Sequence, residues 1–236
     1  MIKCGIPPYL ECSSKNPDGN KAFSAFYARL KAYGNKSIEE IYQAAKVFED
    51  GSTNLTPQQA KGKKAINMTE VTSLYHTLWV RYFEENPELL KYILENYQGF
   101  SDMFGQKNRN CQALTIYSIW LKHSLEKCYE NQEKYSHLLA NIGFKEAYDV
   151  YCGRGKGSTL GNTYSHLPNI VGTIKVDTVE QAVAHFRFDF MREWKSDSAF
   201  RANIKSLKGK VLGCFCKGKN ICHCSVYLGA ANSFGD

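Results

Sequence analysis

The chain has 236 residues, of which 43% are hydrophobic and 22% charged, the proportions of an ordinary globular protein. No apolar run approaches the roughly 18 residues of a membrane span, and the start, MIKCGIPPYLECSSKN, lacks the apolar segment of a secretory signal. The net charge of +7 and the 15 tyrosines fit an anionic partner such as a nucleotide or DNA, although this charge also favours solubility alone.

The nine cysteines are an odd number, so they cannot all form disulfides. In a chain of this length without a secretory signal, we expect free thiols rather than a disulfide framework. The predicted location is therefore the reducing cytoplasm, with no membrane partner.

Helical periodicity dominates residues 1–145. SIEEIYQAAKVFED (37–50) begins with a serine N-cap and has a glutamate three residues later, which is the pattern of a capping box. Gly51 is expected to end this helix. Further helical patterns occupy residues 67–86, residues 87–97 after a break at Pro87, and residues 111–143, as one helix or a pair.

Glycine, valine and cysteine become frequent after residue 145. AYDVYCGRGKGSTLGNTY (147–164) predicts a strand that runs into a glycine-rich loop, and residues 178–197 predict a helix capped by Thr178. A shorter helix, a buried strand and a closing helix follow. This order predicts a parallel strand pair. The predicted fold is α+β, with a mainly helical domain at 1–145 and a small α/β domain at 146–236.

The helix predicted at 37–50 has an unusual set of side chains on one face. An acid, a phenol, an amide and an ammonium recur at i, i+3, i+4 and i+7. These are Glu39, Tyr42, Gln43 and Lys46. Glu40 points in another direction and is expected to face solvent. The structural alternative for Glu39 is that it completes the capping box with Ser37, and for Tyr42 that its ring belongs to the core.

Three segments of the first 120 residues resemble motifs of the NADAR family, which is linked to NAD and ADP-ribose. They are AFSAFYARL (22–30), SIEEIYQAAK (37–46) and SDMFGQKNRNCQALTIY (101–117). The second follows the family pattern SVEHAYQAAK closely. The first has Ala25 where asparagine is usual in LSNFY. The third keeps Asp102, Gly105 and Asn110 but has Phe104 for the usual tryptophan and Cys111-Gln112-Ala113 for x-Leu-Gly.

This resemblance implies an N-glycosidase that cleaves ribose–base bonds, including the bond between ADP-ribose and guanine in nucleic acid. Breaking a glycosidic bond builds positive charge on the sugar, which a fixed carboxylate stabilises while it activates water. Glu39 and Asp102 are the predicted catalytic acids, with a loop N-cap as the alternative for Asp102. The predicted substrate contacts in this half are Phe26, Tyr27, Tyr42, Gln43, Lys46 and Asn110.

In these roles, Phe26 and Tyr27 stack on the base, and Arg29, Lys46 or Lys64 meet phosphate. The predicted substrate is a nucleotide or an ADP-ribosylated nucleobase, with DNA as a possible carrier. Two other functions stay open at this point. One is a module that binds NAD-derived nucleotides without turnover, and the other is a zinc-stabilised adaptor for nucleic acid.

Residues 148–232 resemble a small bacterial and phage domain that has no assigned function. The matching positions are Gly153-Arg154, Leu160-Gly161-Asn162, His185-Phe186-Arg187, Cys214, Cys216 and Cys222-His223. Thr163 stands where proline is usual. The loop glycines allow backbone N–H groups to form an anion-binding nest, although such a stretch is often only a turn. Gly153, Arg154, Asn162, Cys222 and His223 are therefore predicted substrate contacts, with Cys222-His223 at a strand end facing the loop.

The cysteine-rich segment also has a metal-binding interpretation. Cys214, Cys216, Cys222 and Cys224, with His223 among them, are enough soft ligands for one tetrahedral zinc site. The spacing C-x-C-x5-C-H-C differs from the paired C-x2-C of ordinary structural zinc sites, and strand cysteines are often buried fillers. The sequence therefore predicts no cofactor, with zinc as the alternative.

Overall fold

The computed structural model describes residues 8–17, 19–101, 112–155, 157–168, 170, 173–216 and 221–233. The chain divides into two compact units, residues 1–120 and 121–236. Within the described residues, helices predominate and the strands have two or three residues each. The predicted α+β fold class is confirmed.

The first unit is built from short strands around two consecutive helices. Its elements are β1 (Tyr9–Glu11), β2 (Arg29–Leu30), β3 (Lys36–Ser37), α1 (Ile38–Ala44), α2 (Met68–Glu85), α3 (Pro87–Asn96), β4 (Gly99–Ser101) and the start of α4 (Gln112–Lys134). Strands β1 and β4 pair in parallel, and β2 and β3 pair antiparallel. The antiparallel pair leads directly into α1, which fixes the point where that helix begins.

Helix α2 supplies much of the core of the first unit. Val71, Leu78 and Tyr82 lie on its buried face, as the apolar spacing predicts. Trp79 and Phe83 are also buried there, with ring centroids 6.0 Å apart. Pro87 separates α2 from α3 as predicted, because proline fits the first turn of a new helix and disfavours continuation of the old one.

Helix α1 ends at Ala44, earlier than the predicted end before Gly51. The side chain of Asn67 explains the early end: its Oδ1 accepts a hydrogen bond from the backbone N–H of Val47 at 2.9 Å. Its Nδ2 donates to the carbonyl oxygen of Ala45 at 3.1 Å. These bonds satisfy backbone groups at the helix end and direct the chain into isolated β-bridges.

The second unit has a three-stranded parallel sheet. Its elements after α4 are β5 (Leu139–Asn141), β6 (Val150–Tyr151), β7 (Tyr164–Ser165), β8 (Ile174–Lys175), α5 (Val179–Ser196), α6 (Ser198–Lys205), β9 (Leu212–Cys214) and α7 (Cys224–Ser233). The strand order is β5-β9-β6, with β9 in the centre. The predicted parallel pair in this part of the chain is present.

The helix or helical pair predicted over 111–143 ends earlier in the structure than the sequence predicts. Helix α4 ends at Lys134, and Leu139–Asn141 form a fully buried strand paired with Leu212–Cys214. The register joins Leu139 to Leu212 and Asn141 to Cys214. Pairing with a distant segment here outweighs the helical preference of the local sequence.

The division between the compact units falls between Trp120 and Leu121, inside α4. A domain boundary at residue 145 stays a prediction. Across the described ranges, no helix combines the length and the apolar character that crossing a bilayer requires.

The N-cap of α5 gives a direct test of the second unit. Thr178 Oγ1 accepts from the Gln181 N–H at 3.1 Å, and the Gln181 side chain accepts in return from the Thr178 N–H. We expect Thr178→Ala to lower the free energy of unfolding by about 1 kcal/mol, because the helix loses this acceptor. Urea unfolding of the full chain measures the change. Thr178→Ser retains a hydroxyl cap and serves as the control; equal losses in both variants would contradict the capping role.

Candidate functional site

The two adjacent glutamates of α1 have different surroundings. Glu40 Oε2 accepts from the backbone N–H of Ser37 at 2.7 Å and lies 3.6 Å from the guanidinium of Arg29. The hydrogen bond from the Ser37 backbone is the main cause that lowers the pKa of Glu40. Glu39 is half-buried and does not take part in this cap. The capping role that the sequence left open for Glu39 therefore belongs to Glu40.

The four residues predicted on one helical face interact in two pairs, although Lys46 lies beyond the end of α1. Gln43 Nε2 donates to Glu39 Oε1 at 2.7 Å, and Lys46 Nζ lies 4.2 Å from the ring centroid of Tyr42. Burial lowers the pKa of Lys46, and the charge of Glu39 partly opposes this shift. Tyr42 is buried edge-on against Tyr75, with centroids 5.0 Å apart, so its ring belongs to the core.

Gln43 has one further feature on this face. With its Nε2 donating to Glu39, its Oε1 is a buried acceptor for which the described residues provide no hydrogen-bond donor. Buried polar atoms are usually paired, and an exception points to a ligand, a water molecule or a functional role. The face thus offers a carboxylate and an amide oxygen side by side.

A buried glutamine fixes the backbone next to Glu39, although the sequence predicts no role for it. Gln112 Oε1 accepts from the Ala25 N–H at 3.0 Å, and its Nε2 donates to the Cys12 carbonyl at 2.6 Å. The carbonyl of Ala25 in turn accepts from the Glu39 N–H at 2.9 Å. Ala25 and Gln112 are 87 residues apart in the chain, so no local sequence pattern predicts their contact.

The predicted aromatic pair lies at the surface near the start of α1. Phe26 and Tyr27 are each 51% exposed. Phe26 lines a cavity of about 340 Å³ together with Arg29, Lys36 and Glu40. Glu39 is not among its lining residues, so this cavity lies on the Glu40 side of the helix.

The remaining predicted groups of the first unit are distributed as follows. Asp102 and Asn110 lie outside the described residues. Lys64 is paired with Glu49 at 2.6 Å. Arg29 donates to the carbonyl of Asn35 at 2.9 Å and keeps about half of its side chain exposed. Of the predicted phosphate contacts, Lys64 and Arg29 thus both already have an anionic partner, Glu49 and Glu40 respectively.

Side chains of the glycine-rich loop hold the loop in place. Arg154 Nε donates to the carbonyl of Asn162 at 2.8 Å, and its Nη2 donates to that of Tyr164 at 2.5 Å. The buried amide of Asn162 donates to the Ala182 carbonyl of α5 at 3.1 Å. Gly153 lies against Tyr151, whose ring a Cβ at this position would overlap. Arg154, Asn162 and Gly153 therefore define the loop conformation, and phosphate binding there stays a prediction.

Four ligand-type side chains converge where the central strand ends. The Sγ atoms of Cys214, Cys222 and Cys224 and a ring nitrogen of His223 all lie within 4.8 Å of one another, and all four residues are buried. Cys216 Sγ is 3.4 Å from Cys214 Sγ. Hydrogen bonding to the Cys216 and Cys222 thiols lowers the pKa of the Cys214 thiol. The convergent donors therefore differ from the alternative set that the sequence predicts, because His223 takes the place of Cys216.

His223 connects this cluster to the glycine-rich loop. Its Nε2 lies 2.9 Å from the carbonyl oxygen of Cys152 and 3.2 Å from that of Leu160. Carbonyl oxygens only accept, so Nε2 carries the hydrogen and Nδ1 keeps its lone pair. His223 contacts the loop, and both Cys222 and His223 come directly before α7 and not at the predicted strand end.

Comparison with known proteins adds one finding, and it concerns this part of the chain. Residues 140–233 match a family described as a domain of unknown function, DUF4326. The match runs from β5 to the end of α7 and includes the loop and the Cys–His cluster. No curated protein and no solved structure matches the chain. The NADAR resemblance of the first 120 residues stays a prediction.

A titratable side chain next to the loop predicts pH-dependent stability. Tyr164 stacks on His185 with ring centroids 5.3 Å apart and donates to Asp189 at 2.7 Å. Burial lowers the pKa of His185, and the charge of Asp189 opposes this. The unfolded chain therefore binds more protons between that lowered pKa and about 6.5, and stability falls as the pH decreases through this window.

We expect the free energy of unfolding to decrease below pH ~6.5 by at most about 1.4 kcal/mol per pH unit for this one proton. His185→Phe keeps a stacking ring without titrating, so its pH profile should be flatter. Thermal unfolding between pH 5.5 and 7.5 measures this, with His137→Gln at an exposed position as the control. An unchanged slope in His185→Phe would remove His185 as the cause.

Proposed function

We propose that the protein is an N-glycosidase that cleaves the bond between ribose and an ADP-ribosylated or otherwise modified nucleobase, in DNA or in a nucleotide. The observation that carries the proposal is the separation of roles on α1. Glu40 takes the helix cap, whereas Glu39 is half-buried, its carboxylate accepts from the Gln43 side chain, and its backbone N–H donates to the Ala25 carbonyl. A carboxylate fixed in this way suits reaction at a developing positive charge.

Hydrolysis of the glycosidic bond requires a general base that activates water and a negative charge that stabilises the developing positive charge on the sugar. A water oxygen forms a bond to the anomeric carbon of the ribose, and the bond from that carbon to the base nitrogen breaks. The base leaves with the electron pair and takes up a proton. In the proposed mechanism Glu39 accepts the proton of the attacking water and faces the oxocarbenium-like sugar in the transition state.

Gln43 and Lys46 support Glu39 in this proposal. Gln43 Nε2 holds one carboxylate oxygen, which leaves the second for water or sugar. The buried Oε1 of Gln43 is suited to accept a hydrogen bond from a ribose hydroxyl or a base N–H. Lys46 is partly desolvated above Tyr42, and a cation with little hydration attracts a diphosphate strongly.

The cavity beside α1 favours a nucleotide ligand. Its volume of about 340 Å³ lies within the range of small-molecule sites. Phe26 offers an exposed ring for stacking, and Arg29 and Lys36 offer positive charge for phosphate. The cysteines that the structure describes are free thiols, which suits the cytoplasm as the proposed location.

The position of this cavity also favours a second candidate function. Because Phe26, Arg29 and Lys36 line it and Glu39 does not, the described cavity is suited to hold a nucleotide without hydrolysing it. The protein would then sense or sequester NAD-derived nucleotides. Hydrolysis and binding have to be measured separately to decide between the two functions.

Matched variants of the adjacent glutamates test the catalytic proposal. The full chain is incubated with DNA that contains ADP-ribosylated guanine, and released ADP-ribose is measured by mass spectrometry. We expect Glu39→Gln to lower the rate by roughly 10²–10⁴-fold, the typical contribution of an acid–base group. At saturating substrate, Glu40→Gln should keep a rate close to the parent, because glutamine also closes a capping box and a change in the cavity lining acts on binding.

Full activity of Glu39→Gln would exclude Glu39 from the mechanism. Calorimetric titration with free ADP-ribose separates the two functions. Tight binding by a chain that releases no ADP-ribose from any modified base would support the sensing function. In that case Phe26→Ala and Arg29→Ala should weaken binding, and Glu39→Gln should not.

A further inference from the structure

We infer that Cys214, Cys222, His223 and Cys224 bind one zinc ion that joins the central strand, the start of the last helix and the glycine-rich loop. The first observation in support is that the four ligand-type side chains converge on one point. Ligand atoms from all four side chains lie within 4.8 Å of one another, although a strand and a helix start supply them. The exposed fractions of the four residues are between 0% and 4%.

The donor set fits zinc better than other common ions. Three thiolates and one imidazole form a complete tetrahedral set of the kind that structural zinc sites use. Magnesium and calcium prefer oxygen ligands, and no carboxylate belongs to this group. Because all four donors are buried, the centre has the closed form of a structural site, without an open position for a substrate.

The orientation of His223 is the second, independent support. Metal-binding histidines usually donate the other ring N–H to a carbonyl or carboxylate, which fixes the ring and the tautomer. His223 Nε2 has this partner in the Cys152 carbonyl at 2.9 Å, which leaves the lone pair of Nδ1 for a metal ion. Phe186 packs edge-on against the ring, with centroids 5.3 Å apart, and restricts its rotation.

The positions of the ligands define what the ion stabilises. Cys214 ends β9, and the other three ligands come before α7 or begin it. His223 extends the connection to the backbone of Cys152 and Leu160, on either side of the loop. One ion would thus hold three segments that are distant in sequence, in a sheet whose strands have only two or three residues.

Two thiols outside the group of four, one in contact with it and one not, allow the ligand set to be tested. Cys216 is in contact with Cys214 but is partly exposed and lies outside the group of four. Cys128 is buried elsewhere in the same unit, where its Sγ donates to the Ser124 carbonyl at 3.6 Å. Cys216→Ser and Cys128→Ser are therefore matched controls for Cys222→Ser and Cys224→Ser.

The first experiment uses the unmodified full chain. Elemental analysis after purification should find about one zinc per chain. After removal with a chelator at low pH and replacement by cobalt(II), the visible spectrum should show tetrahedral coordination with thiolate charge transfer, saturating at one equivalent. Hydrogen exchange in residues 152–162 should increase when the metal is removed, because the loop loses the support of His223.

The variants test the assignment of individual ligands. Cobalt(II) charge transfer should decrease in Cys222→Ser and Cys224→Ser and persist in Cys216→Ser and Cys128→Ser. A loss in Cys216→Ser with retention in Cys224→Ser would overturn the proposed set. Iron in place of zinc would overturn the choice of ion. Failure of the unmodified chain to retain zinc or bind cobalt would indicate a metal-free group of thiols and imidazole, and would overturn the proposal.

Discussion

The hydrogen bond from His223 to the carbonyl of Cys152 is the interaction on which the second unit depends most. The parallel sheet beside it has only two or three residues in each strand, too few for backbone pairing alone to stabilise it. The bond joins the end of β6 to the start of α7, and it orients a ring that belongs to a buried group with three cysteine thiols. These contacts lie at the carboxyl ends of the parallel strands, the edge where α/β folds usually place their ligands.

In the first unit, a buried amide side chain fixes the backbone around the candidate catalytic group in a similar way. Gln112 is buried, and both polar atoms of its side chain bond to backbone groups that are far away in sequence. Through Ala25 this network reaches the N–H of Glu39. Each unit therefore fixes its chemically interesting group through a buried polar side chain that bonds to the backbone, since an unpaired buried backbone group would be costly.

The sequence predicts well those features that depend on neighbouring residues. The caps at Ser37 and Thr178, the break at Pro87 and the apolar face of α2 follow from local spacing and appear in the structure. The same local rules fail where distant residues decide. Asn67 ends α1 early through its side chain, and pairing with β9 makes Leu139–Asn141 a strand. No periodicity within either segment contains that information.

The candidate sites show the same division between local and distant control. Helical spacing alone predicts the contact between Glu39 and Gln43, whereas Lys46 comes near Glu39 from beyond the end of α1. The closeness of Cys214 to Cys224 depends on how β9 and α7 come together, which spacing in the sequence does not define. The roles of Arg154 and Asn162 in holding the loop also depend on tertiary contacts, since their partners lie in later segments of the chain.

The capping box of α1 has a consequence for which glutamate is available for chemistry. Each residue of an α-helix advances the side chains by about 100° around the axis, because 3.6 residues complete a turn. By fixing Ser37 as the first flanking residue, the cap sets the rotational phase of every side chain that follows. A start one residue later would give Glu40 the helix position that Glu39 has, and a start one residue earlier would give Glu39 the position of Glu40. A hydroxyl group with no chemical role of its own thus determines which acid faces inward.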